Sequence, residues 1–404
     1  MQRPIRTLLF STLYPSSARP GHGIFVETRL RELLRTGEVE TKVLAPVPWF
    51  PSTDVRWADY ASMAATPARE RHNCIDVLHP RYLVLPKVGM TFAPALLAAA
   101  SIGPLRRLIR EGFDFDVIDA HYFYPDGVAA AMLAHLVGKP LAITARGSDL
   151  NLIPQHALPR RMIQWAARRA DASIGVCAAL VDVLRGWDID PARLHVMRNG
   201  VDLERFRPLP QAQARRELGL VGSPVLLSVG NLLELKGHHL VIDALQALAT
   251  QYPAARLVIV GHGPERQRLE QRARDGGVSP RVTFAGAVSN DELARWYSAA
   301  DALVLASSRE GWANVLLEAM ACGTPVVATN VGGTAEVVAG PVGVLASERS
   351  GASLATALCG LLGAPPPRAT VRAYAEGFGW EPTSRAQLRL FRRLAASLPR
   401  GLHA

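Results

Sequence analysis

The chain has 404 residues, of which 49% are hydrophobic, and this is enough for two domains that each bury a core. Its net charge of +10 favours anionic partners such as a phosphate-bearing substrate, whereas the lack of zinc-ligand spacing and of RNA-binding strand motifs argues against nucleic acid. The four cysteines show no Cys-x-x-Cys spacing, and no apolar run reaches the roughly 18 residues of a membrane-spanning helix, which predicts a cytoplasmic protein with free thiols.

The chain begins with a strand, a glycine-containing loop and a helix. Residues 5–13 have the pattern of an apolar strand, and the apolar run within it is too short for a signal peptide. Residues 16–23 are rich in glycine, serine and proline, and residues 25–34 have the pattern of a helix. Gly21 and Gly23 therefore stand where the backbone could approach a ligand closely, although a plain turn is the simpler interpretation.

Two later strands of the first half end in polar residues. The buried strand 116–120 leads directly to His121, and the strand 141–146 leads through Arg146 to Asp149. Because the carboxyl ends of parallel strands form the ligand-binding edge of an open sheet, these side chains are candidates for ligand contact. A purely structural histidine and an Arg146–Asp149 ion pair are the alternatives that the sequence leaves open.

Residues 159–170 have the pattern of an amphipathic helix rich in arginine. Arginines flank an apolar stripe on this helix. The stripe consists of Met162, Ile163 and Trp165, and the arginines are Arg160, Arg161, Arg168 and Arg169. Such a pattern is typical of the solvated face of a soluble helix, and it also fits docking on an anionic membrane surface. The sequence leaves both interpretations open.

A polar link that contains proline, at residues 198–208, predicts a domain boundary. We place the first domain at residues 1–202, the second at residues 203–371, and a C-terminal helical segment at residues 372–404. In the second domain, strands at 224–230, 256–261, 281–284 and 301–307 alternate with helices, which predicts a parallel sheet. Residues at or just beyond these strand ends are Asn231, Lys236, Gly261, Gly263 and Val288.

The most informative stretch joins the strand 301–307 to a helix at 315–321. The loop 309–313 leaves the strand at the ligand-binding edge, Asn314 is the predicted N-cap, and Gly323 ends the helix. Glu310 lies in the loop and Glu318 about one turn into the helix. The loop tip would aim backbone N–H groups and the positive helix end at an anion, and it consists of Gly311, Trp312 and Ala313. Taken alone, two glutamates at this spacing are more often a solvated helix face.

This stretch resembles the Glu-x7-Glu signature of the retaining glycosyltransferases of family 4. Those enzymes use nucleotide-sugar donors and have the α/β GT-B fold, in which two Rossmann-like β/α/β domains face a central cleft and a C-terminal helix crosses back to the first domain. The resemblance implies that Glu310 contacts the donor sugar and Glu318 the ribose hydroxyls. It also implies that the backbone between them holds the sugar and phosphates, at Gly311, Trp312, Ala313, Asn314 and Val315.

The resemblance covers nearly the whole chain and implies roles for other candidates. It places Gly23 against the donor phosphates and His121, at the end of its strand, against the donor sugar. The second-domain loops that contain Gly261 and Gly263 are implied to approach the nucleotide, with Val288 beside the base. The first domain would be the acceptor side, and the second would bind the nucleotide sugar.

The chain departs from the family pattern at two positions. In the motif Gly-Arg-x4-Lys-Gly, Lys236 fills the lysine position, but Asn231 stands where the family has arginine, so one of two cations for the leaving diphosphate is missing. In the motif Thr-x-His-Gly-x-Asp, Arg146 replaces the histidine, which removes a titratable base and installs a permanent cation. An acceptor that carries a carboxylate or phosphate would suit Arg146, which together with Asp149 forms the predicted acceptor side.

We therefore expect a retaining glycosyltransferase with His121, Lys236 and Glu310 as catalytic residues. It would transfer a sugar from a UDP- or GDP-linked donor to a hydroxyl of a saccharide or lipid-linked acceptor, in bacterial cell-surface polysaccharide or glycolipid synthesis. The resemblance implies no cofactor and no bound metal, and the expected location is the cytoplasm, peripheral to the inner face of the plasma membrane. Two alternatives stay open: a GT-B sugar-nucleotide epimerase, and a sugar-nucleotide-binding subunit weakened by the changes at Asn231 and Arg146.

Overall fold

The computed structural model describes residues 3–57, 59–84 and 89–397. The chain divides into two compact α/β units. Unit 1 contains the residues up to Arg198 together with those from Glu381 onward, and unit 2 is Asn199–Trp380.

Unit 1 is built on an eight-stranded sheet. The strands of unit 1 are β1 (Ile5–Phe10), β2 (Val39–Leu44), β3 (Val47–Pro48), β4 (Arg69–His72), β5 (Ile75–Leu78), β6 (Arg81–Tyr82), β7 (Val117–His121), β8 (Leu141–Ala145), β9 (Ala172–Gly175) and β10 (Leu194–Val196). The sheet order is β10-β9-β8-β7-β1-β2-β5-β4, and its pairs are parallel except β4 with β5. Strands β3 and β6 form a separate parallel pair.

Helices alternate with the strands of unit 1. They are α1 (Ile24–Leu34), α2 (Asp59–Ala65), α3 (Gly89–Arg110), α4 (Val128–Val137), α5 (Ser148–Asn151), α6 (Ala157–Arg169) and α7 (Ala178–Arg185). Successive residues of a strand point to opposite faces of a sheet, and the consecutive residues Leu8, Leu9 and Phe10 of β1 are all fully buried. The sheet is therefore covered on both faces at its centre, as in other parallel α/β sheets.

Helix α3 is continuous. It runs past Pro94 and Pro104, with Leu97, Leu105 and Leu108 buried on both sides of the second proline. By length and composition alone, Met90–Arg110 could cross a membrane, which corrects the expectation that no such run exists. In the structure α3 packs against α4 and β6 as part of unit 1.

Helix α6 confirms the predicted amphipathic helix, and part of its apolar stripe packs in the core. Ile163, Ala166 and Ala167 are fully buried in unit 1, and Arg169 covers the Trp165 ring with its guanidinium carbon 4.2 Å from the ring centroid. The arginines are exposed; of the stripe residues, Ile163 is buried, whereas Met162 and Trp165 are partly exposed. Docking of α6 on an anionic membrane surface stays a prediction.

Unit 2 is built on a six-stranded parallel sheet. Its strands are β11 (Val225–Val229), β12 (Arg256–Val260), β13 (Val282–Gly286), β14 (Ala302–Leu305), β15 (Val326–Thr329) and β16 (Gly343–Ala346), in the order β13-β12-β11-β14-β15-β16. Its helices are α8 (Gln211–Glu217), α9 (His238–Ala247), α10 (Arg266–Asp275), α11 (Asn290–Ala299), α12 (Asn314–Ala321), α13 (Thr334–Val337), α14 (Gly351–Gly363) and α15 (Arg368–Glu376). This order is that of a doubly wound Rossmann sheet.

The last helix, α16 (Trp380–Ala396), packs in unit 1, where Leu388, Phe391 and Leu394 join the same core cluster as β1 and β7. The unit boundaries fall at 198/199 and 380/381 instead of the predicted 202/203 and 371/372. The turn at residue 201 is fixed to unit 2, because the Val201 N–H donates to the Phe378 carbonyl at 2.9 Å. Helix α15 lies in unit 2 because it packs against α12.

Candidate active site

The carboxyl edge of the unit 2 sheet contains a topological switch point. The chain continues from β11 to β12 on one side and later returns to β14 on the other, so the loops after β11 and β14 leave the sheet side by side. The two loops touch: Gly237 has a φ of 69°, and a Cβ atom there would lie 2.1 Å from the Ala306 carbonyl oxygen. Open α/β sheets bind ligands at such points, so this edge is the candidate site of unit 2.

Lys236 and Glu310 form an ion pair at this switch point. Lys236 Nζ lies 2.6 Å from Glu310 Oε1, and the Ser307 hydroxyl donates to the same oxygen at 2.7 Å. The Lys236 and Glu310 side chains are 25% and 11% exposed, so the pair is largely shielded from water and still accessible. The fold thus brings together two residues that were predicted as catalytic from separate motifs.

His238 fixes the loop that precedes Lys236. Its Nδ1 lies 2.8 Å from the Ser228 hydroxyl, and its Nε2 lies 3.3 Å from the Asn231 carbonyl oxygen. Burial lowers the pKa of His238 to about 4, so the ring is neutral near pH 7. A neutral ring with its proton on Nε2 accepts from Ser228 and donates to Asn231, which holds the backbone of the loop in place.

The predicted donor-binding glycines have a structural reason to be glycine. Gly261 and Gly263 have φ values of 143° and 155°, and added Cβ atoms would lie 1.9 Å from the Gly230 carbonyl oxygen and 2.5 Å from that of Leu232. The loops after β11 and β12 are therefore in close backbone contact. Val288 follows β13 at the same sheet edge and is partly exposed. Contact of these residues with a nucleotide stays a prediction.

The loop before α12 starts the helix one residue earlier than predicted. Ala313 is the N-cap residue, and it provides no side-chain cap because its methyl group cannot form a hydrogen bond. Asn314, the predicted N-cap, is already helical, and its Oδ1 accepts from Asn199 Nδ2 at 3.4 Å. Trp312 is buried, with its ring centroid 6.4 Å from that of Phe378. Gly311 and Val315, the other predicted donor contacts of this stretch, flank these residues at the amino end of α12.

Glu318 is held by a tyrosine that the sequence did not single out. The Tyr297 hydroxyl donates to Glu318 Oε2 at 2.7 Å. Burial raises the pKa of Glu318 to about 7, and the hydrogen bond from Tyr297 opposes this rise. The carboxyl group therefore titrates close to neutral pH.

In unit 1, His121 and Arg146 are in direct contact at the carboxyl ends of the paired strands β7 and β8. The Arg146 guanidinium donates to His121 Nδ1, and His121 Nε2 lies 3.2 Å from Asp119 Oδ2. Burial lowers the pKa of His121 to about 4, Asp119 opposes the shift and Arg146 adds to it. The ring is thus neutral and buried, with both nitrogens engaged, so its predicted contact with a donor sugar requires Arg146 to move.

Asp149 binds backbone groups instead of the Arg146 side chain. Its carboxylate accepts from the N–H groups of Phe123 at 2.8 Å, Gly147 at 2.8 Å and Arg146 at 3.0 Å. The Arg146 guanidinium, which contacts His121, also lies over the Phe25 ring, with its carbon 5.5 Å from the ring centroid. The Arg146–Asp149 ion pair that the sequence left open is therefore absent from the described contacts of Asp149, which clamps the loops after β7 and β8 together.

The first loop of unit 1 is also closed by buried polar contacts. Gly23 has a φ of 65°, and a Cβ atom there would lie 2.4 Å from the Leu13 carbonyl oxygen, so the loop folds back on itself. The buried Asp126 accepts from the Thr12 N–H at 2.9 Å and the Thr12 hydroxyl at 3.0 Å. Burial raises the pKa of Asp126 to about 7. Whether Gly23 approaches a phosphate stays a prediction.

Two family models match the chain. The model for "Glycosyltransferase Family 4" matches residues 58–205, and the model for "Glycosyl transferases group 1" matches residues 210–378. The first match falls mainly in unit 1 and the second within unit 2.

Curated relatives match over most of the length of both proteins. The D-inositol 3-phosphate glycosyltransferase of Frankia alni is 37% identical over 330 residues, which are 74% of this chain and 79% of that protein. The chain belongs to the family 4 glycosyltransferases. The glycosyltransferase TuaC of Bacillus subtilis, whose name places it in teichuronic acid biosynthesis, is 29% identical over 366 residues, or 88% of each protein.

Solved structures show the fold class of this glycosyltransferase. Sucrose-phosphate synthase from Thermosynechococcus elongatus has a TM-score of 0.77 and 23% identity, and the match covers 98% of this chain and 100% of that one. Anabaena Alr3699/HepE in complex with UDP-glucose has a TM-score of 0.72 and 21% identity, covering 96% and 99%. Together with the two Rossmann-like units, these likenesses confirm the predicted α/β GT-B fold class.

The residues missed by sequence reasoning hold the glycosyltransferase's candidate site residues in place. They are His238, Ser307, Tyr297 and Asp119. His238 had a local signal, because a histidine follows the Lys-Gly pair at the start of a helix. The others carried little local signal, since Tyr297 and Asp119 lie in an ordinary helix and strand, and Ser307 is a common residue at a strand end.

Proposed function

We propose that this glycosyltransferase retains the configuration of the sugar that it transfers from a UDP- or GDP-linked donor to an acceptor hydroxyl. The observation that carries the proposal is the Lys236–Glu310 pair at the switch point of unit 2, 2.6 Å apart. A cation and a carboxylate there match the two needs of a sugar-nucleotide site, a charge for the diphosphate and an acceptor for sugar hydroxyls. The solved complex of HepE with UDP-glucose supports a nucleotide-sugar donor.

In the proposed reaction, the bond between the anomeric carbon and the β-phosphate oxygen breaks while the acceptor oxygen bonds to the same face of that carbon. The acceptor proton passes to the leaving diphosphate. Lys236 stabilises the negative charge that grows on this diphosphate, and Glu310 positions Lys236 and accepts hydrogen bonds from the donor sugar. No metal ion or cofactor is part of the proposal.

The acceptor side of the proposal rests on Arg146. Its guanidinium provides a planar, permanently charged donor beside a neutral His121, a combination that suits an acceptor with a carboxylate or phosphate. The names of two relatives refer to D-inositol 3-phosphate and to teichuronic acid, which are both acidic compounds. We extend the proposal to bacterial cell-surface polysaccharide or glycolipid synthesis, at the cytoplasmic side of the plasma membrane.

A thermal-shift panel of sugar nucleotides tests the donor. A ligand that binds only the folded chain raises its stability by RT ln(1 + [L]/Kd), so the correct UDP- or GDP-sugar is expected to raise the melting temperature most. Adding an acidic saccharide acceptor should then release nucleoside diphosphate. Conversion of the donor without an acceptor would support the epimerase instead, and lack of stabilisation by every sugar nucleotide would contradict the proposal.

Replacing Glu318 by alanine is expected to weaken the binding of the nucleoside diphosphate. Loss of charge-assisted hydrogen bonds to the ribose should cost roughly 1.5 to 3 kcal/mol. Isothermal titration calorimetry measures this directly, and Glu348→Ala, at an exposed carboxylate of unit 2, is the matched control that should leave affinity unchanged.

The same position predicts a pH dependence of binding. The pKa of Glu318 is raised to about 7 without ligand, and donation from ribose hydroxyls favours the ionised carboxylate. Affinity should therefore rise as the pH increases through about 7 and become constant above it. Glu318→Gln should remove this pH dependence, and an unchanged pH profile in that variant would assign the effect to another group.

A further inference from the structure

Unit 1 carries a patch of large apolar side chains that stay about half exposed. Each is between 49% and 55% exposed, and the set, which we call the aromatic patch, is Trp49, Trp57, Tyr60, Leu83, Met90 and Phe92. Folded soluble proteins rarely leave so many large apolar side chains together in water unless the surface binds something.

The patch is one region because its segments contact one another. The Trp49 N–H donates to the Tyr82 carbonyl at 2.7 Å, next to Leu83. The Phe50 ring packs against Trp57, which precedes α2, and against Tyr60, which lies in α2. The Phe50 ring centroid is 5.5 Å from that of Trp57 and 5.1 Å from that of Tyr60. Helix α3, whose first turn contains Met90 and Phe92, packs against β6.

The outer face of α3 extends this apolar surface. No charged residue occurs between Gly89 and Leu105. The exposed positions Phe92, Ala95, Ala99 and Gly103 follow one another at helical spacing, so they line one face of the helix. A surface helix normally turns polar residues towards water, and here about three turns of the exposed face have none. Only 33% of the most apolar 18-residue stretch of α3 is buried.

Three arginines follow at the carboxyl end of α3. Arg106 and Arg110 continue the same face as Phe92 and Ala99, and Arg107 lies beside them; all three are exposed. Among the carboxylates of residues 3–57, 59–84 and 89–397, none forms an ion pair with these arginines. A cationic end on an apolar face complements a surface that is itself apolar inside and anionic outside.

We propose that the aromatic patch and the outer face of α3 dock in the interface of an anionic lipid bilayer. Tryptophan and tyrosine concentrate at membrane interfaces because their rings are apolar and their N–H and O–H groups are polar. An apolar helix face followed by arginines fits a helix that lies in the plane of the interface. The proposal deepens the membrane-side location proposed above. It favours the aromatic patch over α6 because Ile163, in the centre of the α6 stripe, is fully buried.

Co-sedimentation with vesicles of equal parts phosphatidylglycerol and phosphatidylcholine tests this surface. We expect the wild-type chain to pellet with the vesicles, and we expect the double variant Met90→Glu and Phe92→Glu to bind at least about tenfold more weakly. Two half-exposed apolar side chains and two added repulsions exceed the 1.4 kcal/mol that corresponds to a factor of ten. The matched control, Leu136→Glu with Leu158→Glu, changes two leucines of unit 1 that are 46% and 45% exposed and should bind like the wild type.

A second readout does not depend on how well the charged variant folds. Trp57→Phe keeps an aromatic ring, so it should still pellet with vesicles, but it should lose part of the blue shift of tryptophan emission that vesicles cause in the wild type. Equal pelleting of the wild type and the Met90/Phe92 variant would overturn the proposal. So would loss of binding in a variant with the four arginines of α6 changed to glutamine, while the Met90/Phe92 variant still binds.

Two further outcomes separate the possible explanations. A concentration-dependent dimer of the wild type that is lost in the Met90/Phe92 variant, without any binding to vesicles, would assign the patch to a second copy of the chain and overturn the proposal. Stabilisation by sugar nucleotides does not require a membrane. It should therefore be the same in the wild type and in the Met90/Phe92 variant, so failure of membrane docking is distinguishable from failure of the proposed transfer reaction.

Discussion

Lys236→Ala is expected to lower kcat by about 10² to 10³, the range found when one preorganised donor is removed from a site of developing charge. The physical reason is that Asn231 is neutral where the resemblance to the family motif implies a second cation, so Lys236 would provide more of the charge stabilisation here. Donor binding should suffer less than turnover, because the interaction strengthens as the sugar–phosphate bond breaks. Steady-state kinetics with the donor identified by thermal shift measure both quantities.

Two variants test whether the effect belongs to the charge at this position. Lys236→Arg keeps a cation and should retain more activity than Lys236→Ala. Asn231→Arg should partly rescue Lys236→Ala, because the Lys236 side chain passes beside Gly230, the residue before Asn231. A Cβ atom added to Gly230 would lie 3.8 Å from Lys236 Cγ. A kcat near that of the wild type in a folded Lys236→Ala protein would contradict the diphosphate role and favour the epimerase.

Replacing Lys236 also affects its ion-pair partner, Glu310, and the two effects must be measured separately. Without Lys236, the Glu310 carboxylate keeps the Ser307 hydroxyl but loses its cation at a site that is only 11% exposed. Part of the defect of Lys236→Ala could therefore come from a displaced Glu310. Comparing Glu310→Gln with the Lys236→Ala, Glu310→Gln double variant isolates this coupling, which is expected to be non-additive because the two groups touch.

The arrangement of strands and helices was predictable because it depends on short-range patterns. Apolar strands that alternate with amphipathic helices predict parallel sheets, and parallel sheets place strand-end residues at one edge. This is why Lys236 and Glu310 could both be named, although they lie 74 positions apart. Their hydrogen-bonding partners were not predictable, because which of many serines and tyrosines faces a given carboxylate is decided by packing between distant elements.

The sequence left questions open where one pattern has two physical solutions. An amphipathic helix with the same residue spacing can bury its apolar stripe in a protein core or in a bilayer, and Ile163, Ala166 and Ala167 of α6 lie in the core. Proline usually ends a helix, but α3 continues past Pro104 because Leu97, Leu105 and Leu108 pack in the core on either side of it. The Asp149 carboxylate already accepts hydrogen bonds from backbone N–H groups of the loop, and the side chain of Arg146 contacts His121 instead.

The second large effect is expected in unit 1, where Arg29→Met should lower the free energy of unfolding by about 3 to 5 kcal/mol. Arg29 is fully buried, and it donates to Gln387 Oε1 at 2.8 Å and to the Met197 carbonyl at 3.0 Å. Gln387 in turn donates to Asp119 Oδ2 at 3.2 Å, so the arginine ties α1 and α16 to a buried carboxylate. Burial lowers the pKa of Arg29 to about 10, and the charge of Asp119 opposes this shift.

Methionine keeps most of the volume of the arginine stem, so the loss measured by thermal or denaturant unfolding reports the charge and its hydrogen bonds. The variant removes the positive charge that faces Asp119 across Gln387, and removing one member of a buried polar network costs more than removing both charges. Adding Asp119→Asn to Arg29→Met should therefore recover part of the stability. Arg31→Met, at an exposed arginine of the same helix, should change stability by less than about 0.5 kcal/mol. Equal losses in the Arg29 and Arg31 variants would mean that the buried network contributes little to holding α16 on unit 1.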